Sequence, residues 1–290
     1  LVRDKMDQLG AENGRYYEIT VASPAGYDKI ANFNLEGMKQ YVDFFNVMTY
    51  DFHGTWEDTT GHQAALTGDA NGYDIATAID IYLNAGVERE QIVLGAPAYT
   101  RAWSGVADGG DNGYDESTSG AAPGSFEKGT YDYKDLAAQY LSGSGDWELN
   151  WDDDAQAAYM YSESQGIFSS FETPGSISLK SEWAQDLGLG GMMFWDASND
   201  AAGQESLIGA AADSWLAGKS FNEITSASDL VFENIYGGNG LFDAIVEAET
   251  TPSLPQVPVN NGNDNAGSGE SALPVAPAPV ESVIPPVETI

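Results

Sequence analysis

The chain has 290 residues, 42% of them hydrophobic, enough for one globular body with an appendage. Its formal charge of −34 would repel phosphate backbones and anionic lipid, which excludes nucleic acid and membrane surfaces as expected partners and favours a neutral ligand. No cysteine is present, which removes disulfides, thiolate metal sites and cysteine nucleophiles; His53 and His62 are too few for a histidine-rich metal site, and no apolar run approaches the roughly 20 residues that span a bilayer.

The opening residues show no basic segment followed by an apolar stretch, so the chain reads as beginning within a longer protein. Leu1 to Leu9 has helical character, and Tyr16 to Ser23 (YYEITVAS) is the first of four short apolar runs that predict buried strands. The others are Val42 to Thr49, Gln91 to Ala96 and Gly190 to Trp195. Asn34 to Gln40 and Gly72 to Ala85 read as helices between them, the second ending before Gly86. Ser176 to Leu187 reads as the helix before the last strand, with Ser176 as its N-cap behind Pro174. Strands alternating with helices predict an α/β fold with a parallel sheet.

The interval from Pro97 to Gly190 is too long for one crossover, and its first part is rich in Gly, Asp, Ser, Tyr and Trp. The economical reading is an inserted subdomain over about 102–165, on the loop after the third strand, forming one wall above the sheet. Trp103 is assigned to its packing. Past Trp215 the periodicity fades. Residues 217–250 read as a short extension able to form a helix or two, and 251–290, rich in Pro, Asn, Gly and Ser with no Lys or Arg, as a disordered linker. Such a linker leads to a further module or ends as a frayed tail.

Functional groups of α/β sheets cluster beyond the carboxyl ends of the strands. After the second run stands Tyr50-Asp51-Phe52-His53-Gly54-Thr55-Trp56, after the third Tyr99-Thr100-Arg101-Ala102-Trp103, and the fourth ends on Trp195-Asp196. A pyranose ring offers C–H faces to Trp and Tyr and hydroxyls to Asp and Arg, so three strand ends each carrying aromatic and charged residues favour a sugar site over core packing. Other motifs are weak. The stretch from Asp69 to Asp74 has Gly at position 4 where a calcium loop needs it at 6, and Asp80 where Glu belongs, so no metal is expected there. Asp152, Asp153 and Asp154 read as a solvated turn. No phosphate-cradling glycine motif and no Ser-His-Asp arrangement occurs, and no cofactor is expected.

FNVMTYDFHGTW (Phe45 to Trp56), TGHQAAL (Thr60 to Leu66), GAPAYTRAW (Gly95 to Trp103) and GLGGMMFWDASND (Gly188 to Asp200) together resemble the last four strands of family 18 glycoside hydrolases, in particular bacterial chitinases with an inserted α+β domain. The resemblance covers about Leu1 to Trp215. It implies the C-terminal part, about strands 5–8, of a (β/α)8 TIM barrel over 1–216. The implied activity is substrate-assisted, retaining hydrolysis of β-1,4-linked N-acetylglucosamine, in which the acetamido oxygen replaces an enzyme nucleophile. It further implies that Tyr50 bonds the acetamido group, Asp51 contacts the distorted sugar, Met48 lines the floor and Trp195 stacks under the ring. Tyr99 and Arg101 would bond neighbouring sugar oxygens, and Trp56 would offer a platform on the leaving-group side. Structural alternatives stand beside these roles: Met48 as core filler, Asp51 as a surface or capping carboxylate, Tyr99 and Arg101 as a stack or salt bridge.

The family's general acid is a Glu ending a D-x-x-D-x-D-x-E strand, and no such motif occurs. The nearest fragment, Asp146-Trp147-Glu148, lacks the other aspartates and is rejected; the acid is expected a few tens of residues before Leu1. The resemblance also implies chitin or a chitooligosaccharide as partner, secretion, and a carbohydrate-binding module beyond the linker. A non-catalytic, lectin-like chitin-binding barrel is the alternative. The piece alone is expected to be inactive and poorly stable, because a half barrel exposes strand edges.

Overall fold

The computed structural model describes residues 1–139 and 145–217, so the extension from residue 218 onward and the linker over 251–290 lie outside the described residues. Helix α1 (Val2–Asn13) leads to β1 (Thr20–Pro24), and two single-turn helices, α2 (Tyr27–Ile30) and α3 (Leu35–Met38), lead to β2 (Phe44–Met48). Then come α4 (Ile75–Asn84) and β3 (Ile92–Pro97). The chain next builds a second sheet from β4 (Arg101–Ser104), β5 (Gly120–Ala121), β6 (Trp147–Asp152), β7 (Ala157–Ser162) and β8 (Ile167–Phe171), with α5 (Tyr133–Gln139) among them. It returns through α6 (Pro174–Asp186) to β9 (Gly191–Trp195) and closes on α7 (Leu207–Ala217).

The first sheet has the order β1-β2-β3-β9 and every pairing in it is parallel. Parallel strands covered on both faces must be apolar along their whole length, and Phe45, Val47, Ile92 and Leu94 are fully buried against Ile75, Ile79 and Tyr82 of α4 and Leu179 of α6. The register sets Met48 beside Pro24 and Trp195 beside Pro97, so the strands finish at one common edge. This is the βα repeat of a barrel segment, with the strand ends where a site belongs. The second sheet, in the order β5-β4-β8-β7-β6, is antiparallel throughout. Its own core is Trp103, Tyr159, Tyr161 and Phe168 with Val106.

Several elements differ from the sequence reading. The first strand starts at Thr20, not Tyr16, because Tyr16 faces solvent, its hydroxyl donating to Asp43 and its ring lying under Arg3. The helix expected over 34–40 is one turn, Leu35–Met38, with Asn34 as its N-cap accepting from the Gly37 amide at 3.1 Å. Ser176 is not an N-cap. Thr173 holds that place and Pro174 is the first helical residue, while Ser176 completes a reciprocal capping box, its hydroxyl accepting from Thr173 N at 2.8 Å. Helix α7 went unpredicted because its small residues, packed on α6, give little periodicity. Among the described residues no helix is long and apolar enough to cross a membrane.

One ionic group lies deep in this framework. Lys180 on α6, 2% exposed, pairs with the equally buried Glu172 and donates to the Ala64 carbonyl at 2.6 Å, while Ser176 Oγ donates to Glu172 at 2.5 Å. A buried charge persists only when paired and hydrogen-bonded, and here both partners are.

Candidate active site

The end of β2 is bolted to β3 before the chain turns into the site: the buried Thr49 hydroxyl donates to the Gly95 carbonyl at 2.6 Å. Gly95 is required there. A Cβ would sit 2.4 Å from the Val47 oxygen and 3.0 Å from the Tyr50 ring, so only glycine lets that ring lie across β3. Tyr50 meets Tyr99 edge to face, ring centroids 6.1 Å apart, with Ala64, Met48 and Met193 packed around them.

Asp51 takes a left-handed backbone, φ 59°, and this turn aims its carboxylate at Arg101, the first residue of β4. The pair is bidentate: Nε donates to Oδ1 at 2.8 Å and Nη2 to Oδ2 at 2.9 Å. Nη1 donates to Thr130 Oγ1 at 3.0 Å. The guanidinium lies over the Tyr99 ring at 5.1 Å and the Trp56 ring at 5.4 Å. Burial depresses the Arg101 pKa, but the hydrogen bonds and charge of Asp51 outweigh it and the net shift is upward. Burial, and then the Asp51 charge, push Tyr50 up to about 12 and drive Tyr99 higher still. Both phenols therefore remain protonated donors across the neutral range.

These groups line a cleft of about 660 Å³. Met48, Tyr50, Asp51, Tyr99, Arg101 and Trp195, six of the seven residues named from sequence, lie along it. Trp56 does not line it; it is 59% exposed and reaches the site only through its stack on Arg101. Trp195 ends β9 with its ring 60% exposed, and the Trp195-Asp196 peptide is cis.

The far wall comes from the segment expected to insert over about 102–165, through residues that the sequence did not single out, Phe126, Glu127, Thr130, Asp132 and Lys134, and from the end of β9, where Asp196, already noted at the strand end, is joined by Ser198 and Asn199. Backbone pairing brings it into place: Thr100 N donates to Tyr131 O at 3.0 Å and Ala102 N to Gly129 O at 2.9 Å. Lys134 ties the wall to the β9 end by donating to Ser198 O at 2.7 Å. The local signal was an aromatic followed by an acid, Phe126-Glu127, in a segment without periodicity.

The remaining motifs have other occupations. Asp69 accepts from the Asn71 and Tyr73 amides at 2.8 and 3.0 Å and from His53 at 3.0 Å, while Asp74 caps α4. Asp153 and Asp154 form the exposed turn expected there, but Asp152 ends β6 and is half-buried: its carboxylate accepts from the Asp154 and Ala155 amides at 2.9 Å and pairs with His62 at 2.9 Å. That bond is the main cause holding its carboxyl below the usual range, and burial pushes His62 down. The fragment Asp146-Trp147-Glu148 opens β6 on the second sheet, and Asp146 accepts from the Ser162 hydroxyl at 2.7 Å and the Ser164 amide at 2.8 Å. Among the described residues no group of three or more His, Asp or Glu is placed to hold a metal ion.

A family profile described as "Glycosyl hydrolases family 18" matches residues 1–200. Chitinase A1 of Niallia circulans is 36% identical over 209 residues, 69% of this chain and 30% of that protein. Chitinase 1 of Aphanocladium album is 34% identical over 214 residues, 71% of this chain and 48% of its own. Among solved structures, Chitinase ChiA74 from Bacillus thuringiensis aligns with a TM-score of 0.67 at 33% identity, covering 78% of this chain and 39% of that one. The family 18 chitinase from Cycas revoluta in complex with (GlcNAc)3 aligns with a TM-score of 0.64 at 25% identity, covering 73% and 60%. The chain thus spans 30% and 48% of the length of the two curated relatives.

Proposed function

Because the chain belongs to the family 18 glycosyl hydrolases, we propose that the protein carrying it is a chitinase that cleaves β-1,4-linked N-acetylglucosamine with retention, using the substrate's own acetamido group. The observation that carries this reading is the juxtaposition of an exposed Trp195 ring with a salt-bridged carboxylate and a protonated phenol on one cleft.

In this reading a sugar ring rests on Trp195, which supplies a flat apolar face and little entropy to lose. The Tyr50 hydroxyl donates to the acetamido oxygen as that oxygen closes on the anomeric carbon, and the buried setting strengthens the bond as charge develops. Asp51, held by Arg101, stabilises the positive charge that spreads over the acetamido group once its oxygen has attacked. Met48 lies on the cleft floor, and Tyr99 and Arg101 face the oxygens of a neighbouring sugar. Proton delivery to the departing oxygen falls to the family's acidic strand motif, which these 290 residues do not contain. Secretion belongs to the same reading, since a polymer has to be met outside the cell, and so does a carbohydrate-binding module beyond the linker.

The test is turnover of a fluorogenic chitobioside by the intact protein, with the anomer of the first product read by NMR. Release of the β-anomer, and a large loss of kcat in Tyr50→Phe, support the reading. Binding of chitin without turnover would replace it with a lectin; release of the α-anomer would refute the substrate-assisted mechanism.

A further inference from the structure

None of the residues of TGHQAAL (Thr60 to Leu66) lines the cleft, yet one of them grips both of its lips. Gln63 is 1% exposed. Its carbonyl accepts at 3.0 Å from Phe52 N, the residue directly after Asp51. Its side-chain Nε2 donates to Tyr99 O at 2.8 Å and to Ser170 O at 3.1 Å, and its backbone N donates to Ser170 Oγ at 2.9 Å. Ser170 is the residue that Arg101 pairs with across β4 and β8. Four bonds from one buried residue therefore reach the neighbour of Asp51, Tyr99 itself and the strand partner of Arg101.

The side chain is chosen for these donors and not for packing. Both groups that it meets at hydrogen-bond distance are carbonyl oxygens, so its nitrogen has to face them, and Oε1 is left buried with no hydrogen-bond partner among the described residues. A buried carbonyl without a partner is destabilising, and an apolar side chain of the same length would fill the space without that cost. The fork of Asp51 and Arg101 supplies the reason for an amide. Its bonds of 2.8 and 2.9 Å join the turn after β2 to β4, elements of different sheets. A bidentate pair tolerates little change in the separation of its two backbones, and Gln63 fixes that separation from the buried side.

We propose that Gln63 is a positioning residue for the cleavage: touching no substrate, it holds the turn of Asp51 against the segment of Tyr99 and Arg101, so that the carboxylate stays where charge develops on the acetamido group. The proposal rests on the chitinase reading above. It places the effect of Gln63 on the chemical step more than on sugar binding, because the ring rests on Trp195 at the end of β9, to which none of the four bonds runs.

The experiment measures kcat and KM on a fluorogenic chitobioside, with the melting temperature, for intact wild-type protein, Gln63→Met, Ser170→Ala and Thr60→Val. Gln63→Met keeps the side-chain length and removes both donors, while Ser170→Ala removes the hydroxyl that accepts from Gln63 N. Thr60→Val is the comparison within the same stretch: it breaks a 2.6 Å bond to Gly113 O, away from the fork. Gln63→Met should lower kcat about 10-fold with KM within about 3-fold of wild type, the pattern of a displaced group that acts in the transition state. Ser170→Ala should lower kcat about 3-fold, and it decides the matter should Gln63→Met not fold. Thr60→Val should lower the melting temperature yet keep kcat within about 2-fold. An unchanged kcat in the deciding variant, a loss confined to KM, or an equal loss of kcat in Thr60→Val overturns the positioning role alone. A wild type that does not turn over the chitobioside overturns it together with the chitinase reading.

Discussion

Replacing Asp51 by Asn and Arg101 by Gln, singly and together, isolates the contact that joins the end of β2 to β4. Two charge-assisted bonds of 2.8 and 2.9 Å form it. Hydrogen bonds to charged groups contribute about 1.5 to 3 kcal/mol each. The side chains keep 32% (Asp51) and 14% (Arg101) of their surface, so water screens part of the interaction and the coupling should fall near 2 kcal/mol rather than the ~4 kcal/mol of a sealed pair. Asp51→Asn removes the negative charge and one of the two acceptors, leaving Arg101 at most a neutral bond to the amide oxygen beside its bond to Thr130, and should lower the melting temperature of the intact protein by about 4 to 8 °C. Urea denaturation of the four proteins measures the coupling directly. Single-variant losses that sum to the double-variant loss within about 0.5 kcal/mol would show that the fork contributes nothing as a pair.

Trp195→Ala should leave the melting temperature within about 1 °C, because the ring is 60% exposed, yet weaken N-acetylglucosamine trimer binding about 10-fold by calorimetry; a parallel loss of stability would assign the ring to packing instead. Lys180→Met strands the Glu172 carboxylate, which is 3% exposed, and should cost about 3 to 5 kcal/mol in urea, with part recovered in Lys180→Met/Glu172→Gln; an unchanged midpoint would contradict the pairing. Burial holds His62 neutral in the folded state, whereas the unfolded chain protonates it below about pH 6.5. The unfolded state therefore takes up more protons as the pH falls below that value, and stability should decline until the folded-state pKa is passed. His62→Gln should flatten that slope in a series of thermal melts from pH 7.5 to 5, and a slope identical to wild type would remove His62 as its source.

The strand ends were legible because buried parallel strands are apolar without interruption, so each run could end only near Met48, Pro97 or Trp195, and the polar residues that follow had to emerge at one edge. Tyr50, Asp51, Tyr99, Arg101 and Trp195, which stand at those ends, share one cleft with Met48, named only through the family resemblance. Errors fell where local pattern and tertiary context diverge. Tyr16 looks like a strand residue but is held outside by Asp43 and Arg3; Thr173 outcompetes Ser176 because Pro174 already fixes the first turn. Asp152 opens an acidic turn, as Asp153 and Asp154 suggest, yet is not left to solvent, because the fold carries His62, 90 positions away in sequence, to its side. That the insertion walls the sheet could be expected, but which of its residues, Phe126 to Lys134, face the cleft could not, for the same reason. Their position depends on pairing with Thr100 and Ala102 across about thirty residues of chain, and no local periodicity encodes that.

The two lips of the cleft differ in kind, and Arg101 belongs to both. As the first residue of β4 it pairs with Ser170 in the second sheet, while its side chain closes on Asp51 beyond the end of β2. The backbone of Asp51 gives a measure of how strongly that closure is enforced. A non-glycine residue at φ 59° is disfavoured by about 1 kcal/mol, somewhat less for Asp, which tolerates the left-handed region better than most. A glycine would relieve the strain and lose the carboxylate. The bidentate bond, at about 2 kcal/mol, exceeds the strain it imposes. The turn after β2 is thus set by Arg101 rather than by local preference, and the site carboxylate is positioned before any sugar arrives.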